Sequence, residues 1–65
     1  MNTDIIKGNW KEIKGKAKQQ WGKLTDDDLQ QIDGKREELI GKIQKQYGYE
    51  RDRAEDEVKK WEDSY

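Results

Sequence analysis

The chain has 65 residues and a net charge of −1, with 45% of its residues charged and 29% hydrophobic. Cysteine and histidine are absent, which excludes disulfide bonds, thiolate or imidazole metal ligands, thiol nucleophiles and a histidine general base. No apolar run is longer than two residues, so we expect a soluble protein without a signal-peptide core or a membrane span. Because proline is absent and β-branched residues are few, any ordered segment is expected to be helical.

The chain is predicted to begin with a weakly ordered segment over residues 1–8, followed by the first helix. Asn9 and Glu12 have the spacing of a capping box, which indicates that the helix starts there. Its apolar residues recur every three or four positions, so they form one stripe along the helix. These residues are Trp10, Ile13, Ala17 and Trp21.

A turn and a second helix are predicted from the stretch that follows. Gly22 stands where a helix C-terminus favours a residue with positive φ, and Leu24 lies in the turn, where it can close the end of a core. Thr25 is the expected N-cap of the next helix, and the three aspartates at 26–28 complement the positive end of its dipole. The helix is predicted over about residues 26–33, with Leu29 and Ile32 as its buried residues.

Two further amphipathic helices are predicted in the second half of the chain. The third runs from about Lys35 to Tyr47 and stops at Gly48, and the fourth covers about residues 51–63. Their apolar residues again follow helical spacing. They are Leu39, Ile40, Ile43 and Tyr47 in the third helix, and Ala54, Val58 and Trp61 in the fourth.

The two halves of the chain resemble one another at an offset of 26 residues. All six glycines obey this register, since Gly8, Gly15 and Gly22 correspond to Gly34, Gly41 and Gly48. We therefore predict one domain over residues 9–65, made of a helical hairpin over 9–33 and a second over 34–65 that pack on each other. Chance similarity between two Lys/Glu/Gln-rich segments is the alternative. In each hairpin a basic helix precedes an acidic one, which favours intramolecular charge complementarity.

The tryptophans are interpreted as core residues. Large aromatic side chains can also stack on bases or line a ligand pocket, but here all three fall on apolar stripes. A chain with so few aliphatic residues needs their area to stabilise a core.

Glycines inside the first and third helices suggest a candidate partner face. Gly15 and Gly41 each cost helix stability, and Gly15 projects away from the predicted core stripe. With the lysines beside them they form a surface that a partner backbone or a phosphate can approach closely. The alternative is that the lysines form a solvated face and the glycines keep the helices marginally stable. The candidate residues are Lys11, Lys14, Gly15, Lys16, Lys18, Gly41, Lys42 and Lys45.

Other ligands are disfavoured. A nucleic-acid partner could use the lysine face, but the pI of about 5.4 and the single arginine on the basic helices, Arg36, argue against it. Membrane binding would need apolar residues that the core requires. The aspartates at 26–28 lack the order of a calcium loop, and no paired carboxylates have a predicted pocket. We expect no cofactor, no metal and no catalytic site; a protein partner stays possible, and a monomer is favoured.

Several motifs together resemble the CsbD-like family of small bacterial stress-response proteins. They are Gly-Asn-Trp-Lys at 8–11, Gly-Lys-Ala-Lys at 15–18, Trp-Gly-Lys-Leu-Thr-Asp-Asp-Asp at 21–28, Gly-Lys-Ile-Gln at 41–44 and Tyr-Gly-Tyr at 47–49. The resemblance covers nearly the whole chain. It implies an all-α fold of four short helices in two orthogonally packed α-hairpins, similar to a SAM domain, and a cytoplasmic protein induced in general stress. It implies neither a molecular activity nor a set of functional residues.

Two functional hypotheses follow. The mean hydropathy of −1.54 favours a non-enzymatic, hydrophilin-like protein that protects other macromolecules when water is scarce. The alternative is a binding module that uses the lysine and glycine faces of the first and third helices for a protein or nucleic-acid partner.

Overall fold

The computed structural model describes residues 8–64, which form an all-α domain. Four helices follow one another without any strand in this part of the chain, so the predicted fold class is confirmed. The weakly ordered segment was predicted over residues 1–8, and of these residues 1–7 lie outside the described part of the chain. The helices are α1 (Trp10–Gln20), α2 (Asp26–Ile32), α3 (Arg36–Tyr47) and α4 (Arg51–Asp63).

The N-terminus of α2 has the predicted cap. The Thr25 hydroxyl accepts a hydrogen bond from the Asp28 backbone N–H at 3.1 Å, and the Asp28 carboxylate accepts one from the Thr25 backbone N–H at 3.0 Å. The two bonds satisfy N–H groups that have no partner within the helix. Local sequence therefore fixes where this helix starts.

The capping box predicted at the start of α1 is wrong. The Asn9 carbonyl accepts from the backbone N–H groups of Glu12 and Ile13, but the Asn9 side chain makes no cap hydrogen bond. At Asn9 ψ is 23°, whereas ψ is 167° at Thr25. Capping side chains usually require the extended backbone that Thr25 has, because it turns the side chain toward the first N–H groups of the helix.

The role predicted for Gly22 is also wrong, whereas the one predicted for Gly48 is confirmed. Helix α1 ends at Gln20, Trp21 follows as its C-cap with φ of −125°, and Gly22 does not have a positive φ. At Trp21 the backbone leaves the helical conformation, with ψ of 82°, and the residue is buried, with 3% of its surface exposed. Gly48 ends α3 with φ of 69°, in the left-handed region that glycine enters without a steric cost.

One apolar core holds the four helices together and confirms the predicted role of the tryptophans. Both Trp21 and Leu24 reach the core from the α1–α2 turn, and Tyr47 and Tyr49 pack against its edge. The area removed from water supplies the main stabilisation of so small a domain. The core residues are Trp10, Ile13, Ala17, Trp21, Leu24, Leu29, Ile32, Leu39, Ile40, Ile43, Ala54, Val58 and Trp61.

The helix pairs differ in how closely the two backbones approach each other. Helix α3 packs closely against both α2 and α4, whereas α1 is joined to α2 mainly through side chains. The Trp10 indole N–H donates to the Leu29 carbonyl at 3.2 Å, and Lys18 Nζ lies 2.8 Å from Asp26 Oδ1. Side-chain contacts between α1 and α2 leave a groove between the two helices.

Candidate functional site

Four of the residues predicted for a partner face line the groove between α1 and α2. Lys11, Lys14, Gly15 and Lys18 line it from α1, at helical positions i, i+3, i+4 and i+7. Its volume is about 540 Å³, and it is open to solvent. Its remaining lining residues are Trp10, Asp26, Leu29, Gln30 and Asp33.

The two walls of the groove carry opposite charge. Lysines of α1 face the carboxylates of Asp26 and Asp33, and the buried side chains of Trp10 and Leu29 form its apolar base. The hydrogen bond between Trp10 Nε1 and the Leu29 carbonyl fixes the two sides of this base relative to each other. An occupant would meet an apolar surface between a basic wall and an acidic wall.

An ion pair bridges the walls at one end. Lys18 Nζ donates to Asp26 Oδ1 at 2.8 Å. This hydrogen bond and the charge of Lys18 lower the pKa of Asp26, and the charge of Lys14 lowers it further. Because the Lys18 and Asp26 side chains are 49% and 85% exposed, solvent screens the pair, and it contributes little to stability.

Gly15 leaves space along the basic wall. A Cβ atom added there would meet nothing within 4 Å, so no neighbouring atom requires glycine at this position. The same holds for Gly41 on α3. The two glycines differ in that Gly15 lines the groove and Gly41 does not.

A second opening continues the groove past the start of α1. It has a volume of about 450 Å³ and shares Trp10, Lys11 and Asp33 with the first. Gly8, Asn9 and Glu12 complete its lining. The accessible surface thus extends along most of α1.

The other predicted residues lie elsewhere. Gly41 and Lys45 are exposed on α3, and Lys16 is exposed on α1 without lining the groove. Lys42 is directed toward α2, where its ammonium donates to Gln31 Oε1 and lies 3.6 Å from Asp28 Oδ1. Helix α2 therefore contacts both basic helices, with Asp26 paired to α1 and Asp28 paired to α3.

Asp28 links the α2 cap to α3. Its carboxylate accepts from the Gln46 side-chain amide at 3.2 Å in addition to the Thr25 N–H. The hydrogen bond from the Thr25 backbone N–H is the main cause that lowers the pKa of Asp28, and Lys42 lowers it further. This aspartate has a structural role that explains its position without a bound cation.

Two groups of interacting side chains were not predicted from the sequence. Tyr47 and Tyr49 lie together at the α3–α4 turn, with Lys23 and Arg53 against their rings. The Tyr-Gly-Tyr motif at 47–49 was the available signal. Glu62 is 3% exposed, and its carboxylate accepts a hydrogen bond from Arg36 Nε at 3.0 Å. In the sequence, only its position next to Trp61 indicated that it is buried.

Residues 8–64 contain no group of three or more acidic side chains arranged to hold a metal ion. Within the same range, no helix is long and apolar enough to cross a membrane.

Comparison with known proteins identifies related sequences over the full length. The sequence model described as CsbD-like matches residues 4–56. UPF0337 protein ECA0631 of Pectobacterium atrosepticum is 65% identical over 65 residues, covering 100% of this chain and 94% of the relative. UPF0337 protein YjbJ of Escherichia coli K12 is 63% identical over 62 residues, covering 95% and 90%. UPF0337 protein PA4738 of Pseudomonas aeruginosa is 56% identical over 63 residues, covering 97% of both chains.

Proposed function

The chain belongs to the CsbD-like family, and we propose that it acts as a non-enzymatic stress-response protein of the bacterial cytoplasm that protects other macromolecules during water loss. One observation carries this proposal. A single small core is surrounded by a surface on which lysine, arginine, aspartate and glutamate are interspersed. Such a surface stays hydrated, which favours its use as a spacer between labile molecules.

The distribution of charge supports the same role. Ion pairs such as Arg51 with Glu55 and Lys60 with Asp56 lie on the surface of α4. Exposed pairs of this kind contribute little to stability, so their effect is to keep both signs of charge close together at the surface. The protein thus presents a strongly charged surface without a large net charge.

The test is partial drying of a labile enzyme in the presence of this protein. We expect more enzyme activity after rehydration than with an equal mass of an ordinary small globular protein. An Ile43→Asp variant places a charge in the core, where Ile43 is 0% exposed, and serves as an unfolded control of nearly the same composition. Equal recovery with the globular protein would contradict the proposal, and comparison with the variant shows whether the fold is needed.

A second candidate is a binding module, favoured by the four predicted residues that line the α1–α2 groove. We propose that a protein segment carrying carboxylates opposite Lys11 and Lys14 occupies it, with its backbone close to Gly15. Gly15→Leu should fill the groove, whereas Gly41→Leu places the same side chain on the same kind of helical site outside it. Partners lost from a stressed-cell extract with the first variant and kept with the second would support the groove.

Amide proton–nitrogen NMR spectra then locate the contact. Titration with mixed-sequence DNA duplex at low and moderate salt tests the nucleic-acid alternative. Saturable, salt-sensitive shifts confined to α1 and the start of α2 would favour DNA as the occupant. Unchanged spectra with DNA, together with equal partner capture by the two glycine variants, would exclude both occupants and leave the protective role.

A further inference from the structure

Two tyrosines at the α3–α4 turn lie against each other. The ring centroids of Tyr47 and Tyr49 are 5.4 Å apart, and the ring planes are inclined by 30°. We propose that this pair is an oxidative modification site, at which a one-electron oxidant converts the two phenols into an intramolecular dityrosine cross-link. The proposal is independent of the protective and binding functions.

Composition and burial favour oxidation of these two tyrosines over the tryptophans. The chain has no cysteine or histidine, and its one methionine is Met1. Within residues 8–64, the three tryptophans are at most 8% exposed, whereas Tyr47 and Tyr49 are only partly buried. An oxidant in solution therefore reaches these two phenols more readily than the indoles of the core.

Contacts from neighbouring elements position the two rings. The Lys23 backbone N–H donates to the Tyr47 hydroxyl oxygen at 3.3 Å, which ties the α3–α4 turn to the α1–α2 turn. Lys23 Nζ lies 4.9 Å from the Tyr47 ring centroid, and the Arg53 guanidinium carbon lies 3.9 Å from that of Tyr49. Each cation–π contact restricts rotation of its ring, so the folded protein keeps the rings close together.

The adjacent cations also determine how the phenols are oxidised. A positive charge near the ring disfavours a phenol radical cation, so the electron leaves each ring together with the phenolic proton and gives a neutral phenoxyl radical. The unpaired electron of each radical is shared with the ring carbons ortho to the oxygen. Coupling of two such carbons forms one carbon–carbon bond. Each ring then carries a carbonyl oxygen, and the hydrogen on each coupled carbon moves to the carbonyl oxygen of its own ring, which restores both phenols.

The overall step is balanced. Two electrons and two protons are lost, and the electrons pass to two equivalents of the one-electron oxidant. The protein loses two hydrogen atoms and gains one covalent bond. No atom of the oxidant is incorporated.

The probe is photo-oxidised ruthenium tris-bipyridine, with persulfate as the terminal electron acceptor. Cleavage after Lys45 and Arg51 releases a peptide over 46–51 that contains both tyrosines. We expect this peptide to have lost two hydrogen atoms and to show dityrosine fluorescence, without covalent links between protein chains. Fragment ions from cleavage between Tyr47 and Tyr49 should be absent, because the cross-link closes that segment into a ring.

Three variants and one change of solvent make the test decisive. Tyr47→Phe and Tyr49→Phe should each abolish the modified peptide, and Tyr65→Phe should leave it unchanged. In concentrated urea the yield should fall several-fold, because the contacts that position the rings are lost. Equal yields in folded and unfolded protein would overturn the proposal, and so would a product made mainly of covalent dimers.

Discussion

The rings of Trp21 and Trp61 meet edge to face, with centroids 5.1 Å apart and planes inclined by 67°. Trp21 follows the last turn of α1, and Trp61 lies in the last turn of α4, so this contact joins the first and last described helices. Aromatic pairs in this geometry contribute beyond the area they bury. The pair closes the core where the two helices end.

Truncation of this pair should unfold the protein. Trp21→Ala is expected to cost about 3–5 kcal/mol, which is comparable to the whole stability that a core of this size supplies. Far-ultraviolet circular dichroism at 25 °C should show loss of most helix. Trp21→Phe retains an aromatic ring and should stay folded with a lower urea midpoint. A fully folded alanine variant would show that the contact is dispensable.

The helical glycines offer a test of marginal stability. Gly15→Ala and Gly41→Ala should each raise the free energy of unfolding by about 1 kcal/mol, because alanine favours helix and the new Cβ meets nothing within 4 Å. Gly48→Ala should instead cost about 1–2 kcal/mol, because Gly48 has a φ of 69°. Urea titrations of the three variants provide the comparison. Destabilisation by either helical substitution would contradict this account of the glycines.

The two helix starts should respond differently to alanine. Thr25→Ala removes the cap hydrogen bond to the Asp28 N–H and is expected to cost about 1 kcal/mol. Asn9→Ala removes a side chain that makes no cap hydrogen bond and should change stability by less than about 0.5 kcal/mol. Thermal and urea unfolding of the two variants measure both changes in stability. Equal costs at the two positions would mean that Asn9 caps α1 in solution.

Acid should destabilise the fold through carboxylates whose pKa is lowered in the native state. The Thr25 N–H lowers the pKa of Asp28, the hydrogen bond from Lys18 lowers that of Asp26, and the hydrogen bond from Arg51 lowers that of Glu37. Their stabilisation is complete above the unfolded-state pKa values of about 4 and is lost as the pH falls through the lower native values.

The free energy of unfolding should therefore decline below about pH 4. Asp28→Asn should be less stable at neutral pH and should show a shallower decline, because part of the linked protonation is removed. Asp27→Asn, on the same turn of α2, is the matched control for the loss of one negative charge. Urea titrations between pH 2 and 7 give the comparison. A curve for Asp28→Asn parallel to that of the parent would exclude this carboxylate as a source of acid sensitivity.

The Arg36–Glu62 pair should matter more than the surface ion pairs. The Glu62 side chain is 4% exposed and that of Arg36 is 26% exposed, and Glu62 Oε2 has no hydrogen-bond partner among the described residues. Arg36→Met leaves a buried carboxylate without its cation and should cost about 3 kcal/mol. Lys18→Met breaks the exposed pair with Asp26, which solvent screens, and should lower the stability much less than Arg36→Met does. Similar urea midpoints for the two variants would contradict this difference.

Much of the fold was determined by the sequence alone, because it depends on local interactions. Helical spacing of apolar residues identified the four helices and their core residues, and Leu24 was expected in the turn. The α2 cap was predictable because Thr25 and Asp28 are only three residues apart. At Asn9 and Gly22 the same local rules failed. The backbone at Asn9 lacks the extended form of a capping residue, and the buried Trp21 follows α1 as its C-cap instead.

The tertiary structure decided which surface residues come together. Sequence placed lysines and glycines on α1 and α3, but only four of the α1 residues line the α1–α2 groove, together with Asp26 and Asp33. On α3, Lys42 pairs with α2 instead. The Tyr47–Tyr49 contact, bracketed by Lys23 and Arg53, likewise depends on how the two turns meet. The physical reason is that periodicity determines which face of a helix is buried. The partners of the exposed face depend on how the helices pack against one another, and interactions between distant parts of the chain determine that packing.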